Sequence, residues 1–448
     1  MKRNYFGTDG IRGPVSGPLF EAGFLNRLGR ALGQWLMTRG LASRRVVIGR
    51  DTRESGERIL IDLAAGFQSE GYEVVDLGVI PTPGVAVSVP LMQAALGIVI
   101  SASHNPFTDN GIKLFDESGC KLSDETEVMI ESVLERIASQ VVKDTEPPSV
   151  ISGVESYIDF FNPWMGLLNL SGKRIVVDCA NGATCVSTPA VLERLGADVY
   201  VIGNNPDGRN INLGCGSEHP ELLQRAVVEQ SADWGLAHDG DGDRLVFCTR
   251  EGRIVDGDHL LAWIACQRLL HGSLAGNTLV ATHQSNLALD RTVEAFNGRV
   301  VRVPVGDRYV LHAMQKSALN TGGESSGHII LRDYSTTGDG LTAALEILKR
   351  CAHSTIGDLC LFCRTYPLFP QLTLNVVVSR KVPLESFPEL QDEIRALESR
   401  LKGQGRILVR YSGTESKLRL LVEAPSDTLA KSTLIDLKDA LGRYLTFQ

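Results

Sequence analysis

The sequence predicts an α/β protein: three similar mixed-sheet α/β domains followed by a smaller C-terminal α+β domain. Three observations predict this. Runs rich in β-branched residues alternate with amphipathic helical stretches in three successive units. An acidic, proline-containing stretch without periodicity, Asp144-Thr145-Glu146-Pro147-Pro148-Ser149, separates the first unit from the second. Beyond Pro367 the order changes to strand, helix, two adjacent strands and helix. A chain of 448 residues exceeds one ordinary core, and the divisions fall at 1–148, 149–252, 253–366 and 367–448.

In the first unit, 45–49 reads as a strand, 54–70 as a helix, 72–76 as a strand and 95–101 as a buried strand that runs into a polar loop. The second unit has strands at 173–178, 197–202 and 233–238 and ends near Gly252. The third has a helix from Asp258, a strand at 278–282, a helix after Ser285 and a strand at 299–303. The last domain has strands at 372–378, 406–410 and 417–423, with helices at 384–401 and at the end. The three units share an order of elements, not residue identity.

Composition narrows the function. With 43% hydrophobic and 22% charged residues the chain is globular rather than disordered or fibrous. Its net charge of −8 gives no basic footprint for nucleic acid, so an anionic ligand needs local positive sites. The start carries no apolar signal segment and no apolar run could span a bilayer, so a cytoplasmic protein is expected. Nine cysteines at irregular spacings fit reduced thiols. The one close pair, Cys360 and Cys363, lacks a strand-turn-helix setting or a second pair, and is expected to pack in a buried helix.

Asp239-Gly240-Asp241-Gly242-Asp243-Arg244 follows a predicted strand and sets three carboxylates at alternate positions on a glycine-flexed loop. Such oxygens repel one another unless they share a hard cation, and they select magnesium, calcium or manganese over zinc. A calcium EF-hand fails, because Arg244 stands at its required glycine and Arg250 at its required glutamate. Ser101-Ala102-Ser103-His104-Asn105-Pro106 ends the buried strand, where open α/β sheets place ligands. Ser103 is the candidate nucleophile. Ser103 and His104 are not expected to form a dyad, since neighbouring side chains in extended backbone diverge. A phosphate on Ser103 could supply a further ligand to the metal.

Other loops carry complementary chemistry. Lys113, in Gly111-Ile112-Lys113-Leu114-Phe115, could exchange a proton if burial beside other cations lowers its pKa; otherwise it is a surface lysine. Glu324, Ser326 and His328 in Gly322-Gly323-Glu324-Ser325-Ser326-Gly327-His328 suit vicinal sugar hydroxyls. Arg410, Ser412, Gly413 and Thr414 hold the ingredients of a phosphate cradle, with Arg419 an auxiliary cation, and Arg12 in Phe6–Gly13 could reach an anion. Each of these loops alone could equally be a solvated turn. Two near-misses are set aside. Gly172-Lys173-Arg174 lacks the hydroxyl of a nucleotide P-loop. Gly338-Asp339-Gly340 has no strand leading into it and reads as a helix start.

Taken together, SASHNP, GIKLF, DGDGDR, GGESSGH and RYSGTE resemble the phosphohexomutase family in order and spacing, from end to end of the chain. FGTDGIRG, DCANGA, NPDGRNIN followed by GSEHP, and VGDRYV are similar to its amino-sugar branch. The resemblance implies four domains around a central cleft and a phosphoserine at Ser103, which with Asp239, Asp241 and Asp243 holds magnesium. It also implies that Arg12, Lys113 and Arg244 surround the transferring group and that Glu324 and Ser326 grip sugar hydroxyls. His328 would assist proton transfer, and Arg410, Ser412, Gly413 and Thr414 would bind the second phosphate. The implied reaction interconverts glucosamine 6-phosphate and glucosamine 1-phosphate through glucosamine 1,6-bisphosphate, feeding UDP-N-acetylglucosamine synthesis. A phosphosugar is the implied partner, and a homodimer is left open. Ser325 replaces the family's usual glutamine and Ser416 its usual proline. A glucose or mannose phosphomutase, and a phosphosugar-binding protein without turnover, are the alternatives.

Overall fold

Val46, Val47 and Ile48 are fully buried along β2 (Arg45–Arg50), as expected of a strand covered on both faces. In the computed structural model, which describes residues 3–138, 146–351, 359–411 and 416–447, β2 lies in a six-stranded mixed sheet. Its order is β1 (Ile11–Pro14), β5 (Asp109–Phe115), β4 (Leu96–Ile100), β2, β3 (Glu73–Val79) and β6 (Ser149–Val150). Strands β4, β2, β3 and β6 run parallel, whereas β5 is antiparallel to both β4 and β1. The helices Ala22–Thr38 and Gly56–Ser69 cross where Gly29 and Gly66 meet. A Cβ on Gly29 would lie 2.3 Å from the Leu63 carbonyl oxygen, so the close crossing depends on the missing side chain.

The second sheet has the order β11 (Ile254–Val255), β10 (Val246–Thr249), β9 (Trp234–Ala237), β7 (Arg174–Asp178) and β8 (Asp198–Ile202). The third has β13 (Arg299–Val303), β12 (Thr278–Thr282), β14 (Thr321–Gly323) and β15 (Ile329–Leu331). In both, a parallel core gives way to antiparallel strands at one edge. These three sheets lie in one unit, residues 1–284 with 298–362; a second unit comprises residues 285–297 with 363–448. The second unit holds an antiparallel sheet in which β18 (Lys417–Glu423) is central between β16 (Gln371–Val377) and β17 (Arg406–Tyr411). Leu390, Leu397, Leu420 and Leu437 pack in its core.

Several expectations are refined. Part of the Phe6–Gly13 loop is strand β1, recruited by backbone pairing to β5. The helix expected over 384–401 is broken: a short 3-10 turn, Leu384–Ser386, precedes the helix Pro388–Arg400. Pro388 lacks an N–H and suits the first helical position rather than an interior one. Both Cys360 and Cys363 lie on the helix Leu359–Thr365, but only Cys363 is buried, and the Cys360 thiol donates to Glu251 at 3.2 Å. None of the nine cysteines, all described, is in a disulfide. Asp339 caps the helix Gly340–Cys351 through the Thr342 N–H at 3.0 Å and its hydroxyl at 2.7 Å, as expected of a helix start. Asp144 and Thr145 lie outside the described residues.

Candidate active site

Each sheet of the larger unit delivers one loop at the same topological position, the turn where its last parallel strand passes to an antiparallel one. Ser103 lies between β4 and β5, the aspartate triplet between β9 and β10, and Glu324 to His328 between β14 and β15. The carboxyl ends of parallel strands are where α/β sheets gather ligands. Backbone bonds splice the loops together. The Leu245 N–H donates to the Gly327 carbonyl at 3.1 Å, and the Thr82 N–H to the Asp241 carbonyl at 2.8 Å. Gly327 has φ +87° and a Cβ there would lie 2.2 Å from the Leu245 carbonyl oxygen, so no other residue fits the splice.

Ser103 is buried, and its hydroxyl donates to Asp239 Oδ2 at 2.5 Å. The backbone at Ser103 is left-handed, φ +53°, rather than extended. That turn overturns the expected divergence, bringing Ser103 Oγ within 3.4 Å of His104 Nδ1. Burial, then the positive charge of Arg244, lowers His104 to a pKa of about 4.

Ligand oxygens of Asp239, Asp241 and Asp243 lie within 4.8 Å of one another, and all three residues are buried. Burial, then the charges of Asp243 and Asp241, pushes Asp239 up to about 8. Among the described residues, Asp241 Oδ1 is buried without a hydrogen-bond partner, and Asp243 Oδ1 has only the imidazole of His328, 3.4 Å away. Crowded all-oxygen donors with orphaned lone pairs fit a hard divalent cation.

Lys113 is fully buried, its Nζ 2.7 Å from Asp241 Oδ2, 3.1 Å from Asp243 Oδ2 and 3.2 Å from Asp9 Oδ2. Burial alone would lower its pKa, the condition set for proton exchange, but Asp241, Asp243 and Asp9 together raise it well above the ordinary lysine value. It is a fixed cation. The surface alternative for Lys113 is excluded by its burial.

Three residues that sequence reasoning did not single out complete a closed ring of alternating charge. Lys113 meets Asp9; Asp9 meets Lys121 at 2.5 Å; Lys121 meets Asp307; Asp307 Oδ2 lies 3.3 Å from His328 Nε2; and His328 Nδ1 lies 3.4 Å from Asp243, which returns to Lys113. The ring joins all three sheets. Arg308, next to Asp307, donates to Glu127 at 2.8 Å through both terminal nitrogens and also pairs with Asp124, tying the helix Asp307–Lys316 to Asp124–Leu134. VGDRYV therefore presents one residue to the ring and the next to a neighbouring helix.

Arg12 pairs with Asp9. Arg244 bonds Glu218 at 2.9 Å, and its Nε lies 3.9 Å from Asp239. Glu324 accepts the Gly306 N–H at 2.9 Å; burial, then Asp307, raises its pKa. Ser326 Oγ is buried with no hydrogen-bond partner among the described residues, and Ser325 is half-buried on the same loop. In the second unit, Arg410 stands opposite Arg419 in the β17–β18 register, and burial, then Arg419, lowers its pKa. Like charges so placed suit an anion. Ser412, Gly413 and Thr414 lie outside the described residues; Ser416 is exposed and its carbonyl accepts the Val378 N–H.

His328 supplies a test. Burial would lower its pKa, but Asp243 and Asp307 raise it to about 9, above the roughly 6.5 of an unfolded histidine. Its ion pairing therefore contributes stability fully below pH of about 6.5, and that contribution is lost as pH rises through about 9. In chelator, urea melts of His328→Asn are expected to lack the part of the wild-type decline that falls between these values. Parallel wild-type and variant curves would refute the charged imidazole.

Family models described as Phosphoglucomutase/phosphomannomutase match in four parts: alpha/beta/alpha domain I at residues 3–141, domain II at 155–252, domain III at 256–365 and the C-terminal domain at 374–439. A phosphoglucosamine mutase of Agrobacterium fabrum is 45% identical over 98% of this chain and 98% of its own. A phosphoglucomutase/phosphomannomutase family protein of Burkholderia thailandensis shares the fold, with a TM-score of 0.80 at 24% identity over 98% of both chains. So does an N-acetylphosphoglucosamine mutase of Aspergillus fumigatus, solved with GlcNAc-6P and magnesium, with a TM-score of 0.65 at 19% identity over 98% of this chain and 96% of that one. With all four of its domains matched in order, and close relatives aligned over nearly their full length, the chain belongs to the phosphoglucomutase/phosphomannomutase family.

Proposed function

We propose that the protein interconverts glucosamine 6-phosphate and glucosamine 1-phosphate through a phosphorylated Ser103 and a glucosamine 1,6-bisphosphate. The observation that carries this reading is the contact of Ser103 Oγ with Asp239 at 2.5 Å, which joins a nucleophile to an acidic triplet from another sheet. The amino-sugar preference rests on the 45% identical relative.

Ser103 phosphate passes to the sugar O1. The bond from phosphorus to Ser103 Oγ breaks as the bond to O1 forms, and the proton lost from O1 is balanced by one gained at the serine oxygen, with the His328 imidazolium assisting by giving its proton to Ser103 Oγ and taking the O1 proton in its place. The bisphosphate turns around and returns its 6-phosphate to Ser103. Arg12, Lys113 and Arg244 hold positive charge around the transferring group. Glu324 and Ser326 orient the sugar hydroxyls, and Arg410, Ser412, Gly413 and Thr414 hold the phosphate that is not transferring. Magnesium, held by Asp239, Asp241, Asp243 and the Ser103 phosphate, would neutralise the carboxylates and stabilise charge in transfer. Domain bounds at 148/149, 252/253 and 366/367 belong to the same proposal, as does a cytoplasmic setting that feeds UDP-N-acetylglucosamine synthesis. Among the described residues no helix is long and apolar enough to cross a membrane.

The test is turnover of glucosamine, glucose and mannose 6-phosphates by purified protein, with magnesium and after chelation. Fastest turnover of the amino sugar, lost on chelation and restored by magnesium, is expected. Brisk turnover of glucose or mannose phosphate with none of the amino sugar would move the assignment to a phosphoglucomutase or phosphomannomutase.

A further inference from the structure

Ser103 holds a left-handed backbone conformation, φ +53°, that is unfavourable for a non-glycine residue, so its surroundings must impose it. Its carbonyl accepts two hydrogen bonds, from Arg53 Nη2 at 3.0 Å and from Asn212 Nδ2 at 2.9 Å. The same guanidinium donates to the carbonyls of Asn105 at 2.8 Å, Pro106 at 2.5 Å and Asp109 at 3.0 Å. One side chain thus serves four carbonyls of the loop that carries Ser103.

Arg53 is itself immobilised. Its Nε donates to Asp51 Oδ2 at 2.8 Å, and neither side chain is exposed. The Ser101 hydroxyl donates to the same carboxylate at 2.6 Å and accepts the Ser103 N–H at 2.9 Å. Both the N–H and the C=O of Ser103 therefore lead back to the Asp51–Arg53 pair. Asn212 comes from the second sheet's domain, from the end of NPDGRNIN, and also donates to Asn105 O at 3.2 Å. Gly240, in the aspartate loop, leaves the room: a Cβ there would lie 2.7 Å from the Ser103 carbonyl oxygen and 2.9 Å from Asn212 Nδ2.

We propose that Arg53 and Asn212 are positioning residues, which aim the Ser103 hydroxyl at the aspartate triplet by gripping the serine's own carbonyl from two domains. The inference rests on the phosphoserine reading above. Neither side chain is assigned a contact with the sugar, so both act on the transfer step and not on substrate affinity. A nucleophile displaced by about 1 Å loses on the order of a hundredfold in rate.

The experiment compares Arg53→Lys and Asn212→Ala with wild type as full-length protein, after thermal melts establish the folded fraction. It measures kcat and KM for glucosamine 6-phosphate with magnesium. It also measures how radiolabelled phosphate on Ser103 divides between sugar and water. Lysine cannot span four carbonyls. Expected are a kcat loss on the order of a hundredfold for Arg53→Lys and tenfold for Asn212→Ala, KM within about twofold, and a larger share of phosphate lost to water. Wild-type kcat and partition in folded Asn212→Ala, with Arg53→Lys equally active or unfolded, would overturn the positioning role. Wild-type protein inactive on every hexose phosphate would instead sink the functional reading itself.

Discussion

Replacing Ser103 with alanine is expected to abolish mutase turnover, by on the order of 10⁴- to 10⁶-fold in kcat, and to leave the protein folded. Losses of this size follow removal of a nucleophile that forms a covalent intermediate. Folding survives because the loop is held through backbone groups: the Ser103 N–H and carbonyl are bonded independently of its hydroxyl. The side chain itself makes one strong bond, to Asp239, whose loss costs about 1–3 kcal/mol. Intact-mass analysis should find no phosphate on the variant, and titration with glucosamine 6-phosphate should still show binding. A variant that turns over within tenfold of wild type would remove Ser103 from the chemistry. A phosphosugar-binding protein without turnover predicts no mutase activity in either form.

The parts of this site that were legible in the sequence are those whose chemistry is concentrated in a few consecutive residues. Three aspartates at alternate positions after a strand announce an oxygen-rich cation site by themselves, and the structure brings their ligand atoms within 4.8 Å. The strands that carry the loops were legible for the same reason, as short apolar runs bounded by turns. The charge ring was not. Asp9, Lys121 and Asp307 are single charged residues from distant stretches, and each acquires meaning only when the sheets set them side by side. Arg53 was hidden for a different reason: an arginine two residues after an aspartate reads as a surface pair, whereas here both are wholly buried around carbonyls. The helix Thr82–Leu91 escaped because it is buried on nearly all sides and shows no apolar stripe to read. The raised pKa of Lys113 has a similar origin, since it depends on carboxylates from two sheets that meet the ammonium only in the fold.

Replacing Lys113 with methionine is expected to separate that residue's structural charge from its catalytic one. Its ammonium is the common counter-ion of Asp241, Asp243 and Asp9, all within 3.2 Å, and removing one member of a buried ionic group leaves the others uncompensated at about 3–5 kcal/mol. In chelator, denaturant melts of Lys113→Met should show a loss of that order. Saturating magnesium should return part of it, because a ligand at a hundred times its dissociation constant stabilises by about 2.7 kcal/mol and supplies positive charge to the same carboxylates. Catalysis should not return with it. The ammonium is fixed on β5 as an electrostatic partner for the transferring group, and loss of one such partner costs on the order of 10²- to 10³-fold in kcat. Recovery of stability without recovery of turnover is therefore the expected signature. A variant as stable as wild type in chelator would show that the carboxylates do not depend on Lys113. One restored in both stability and rate would reduce its ammonium to a placeholder for the cation.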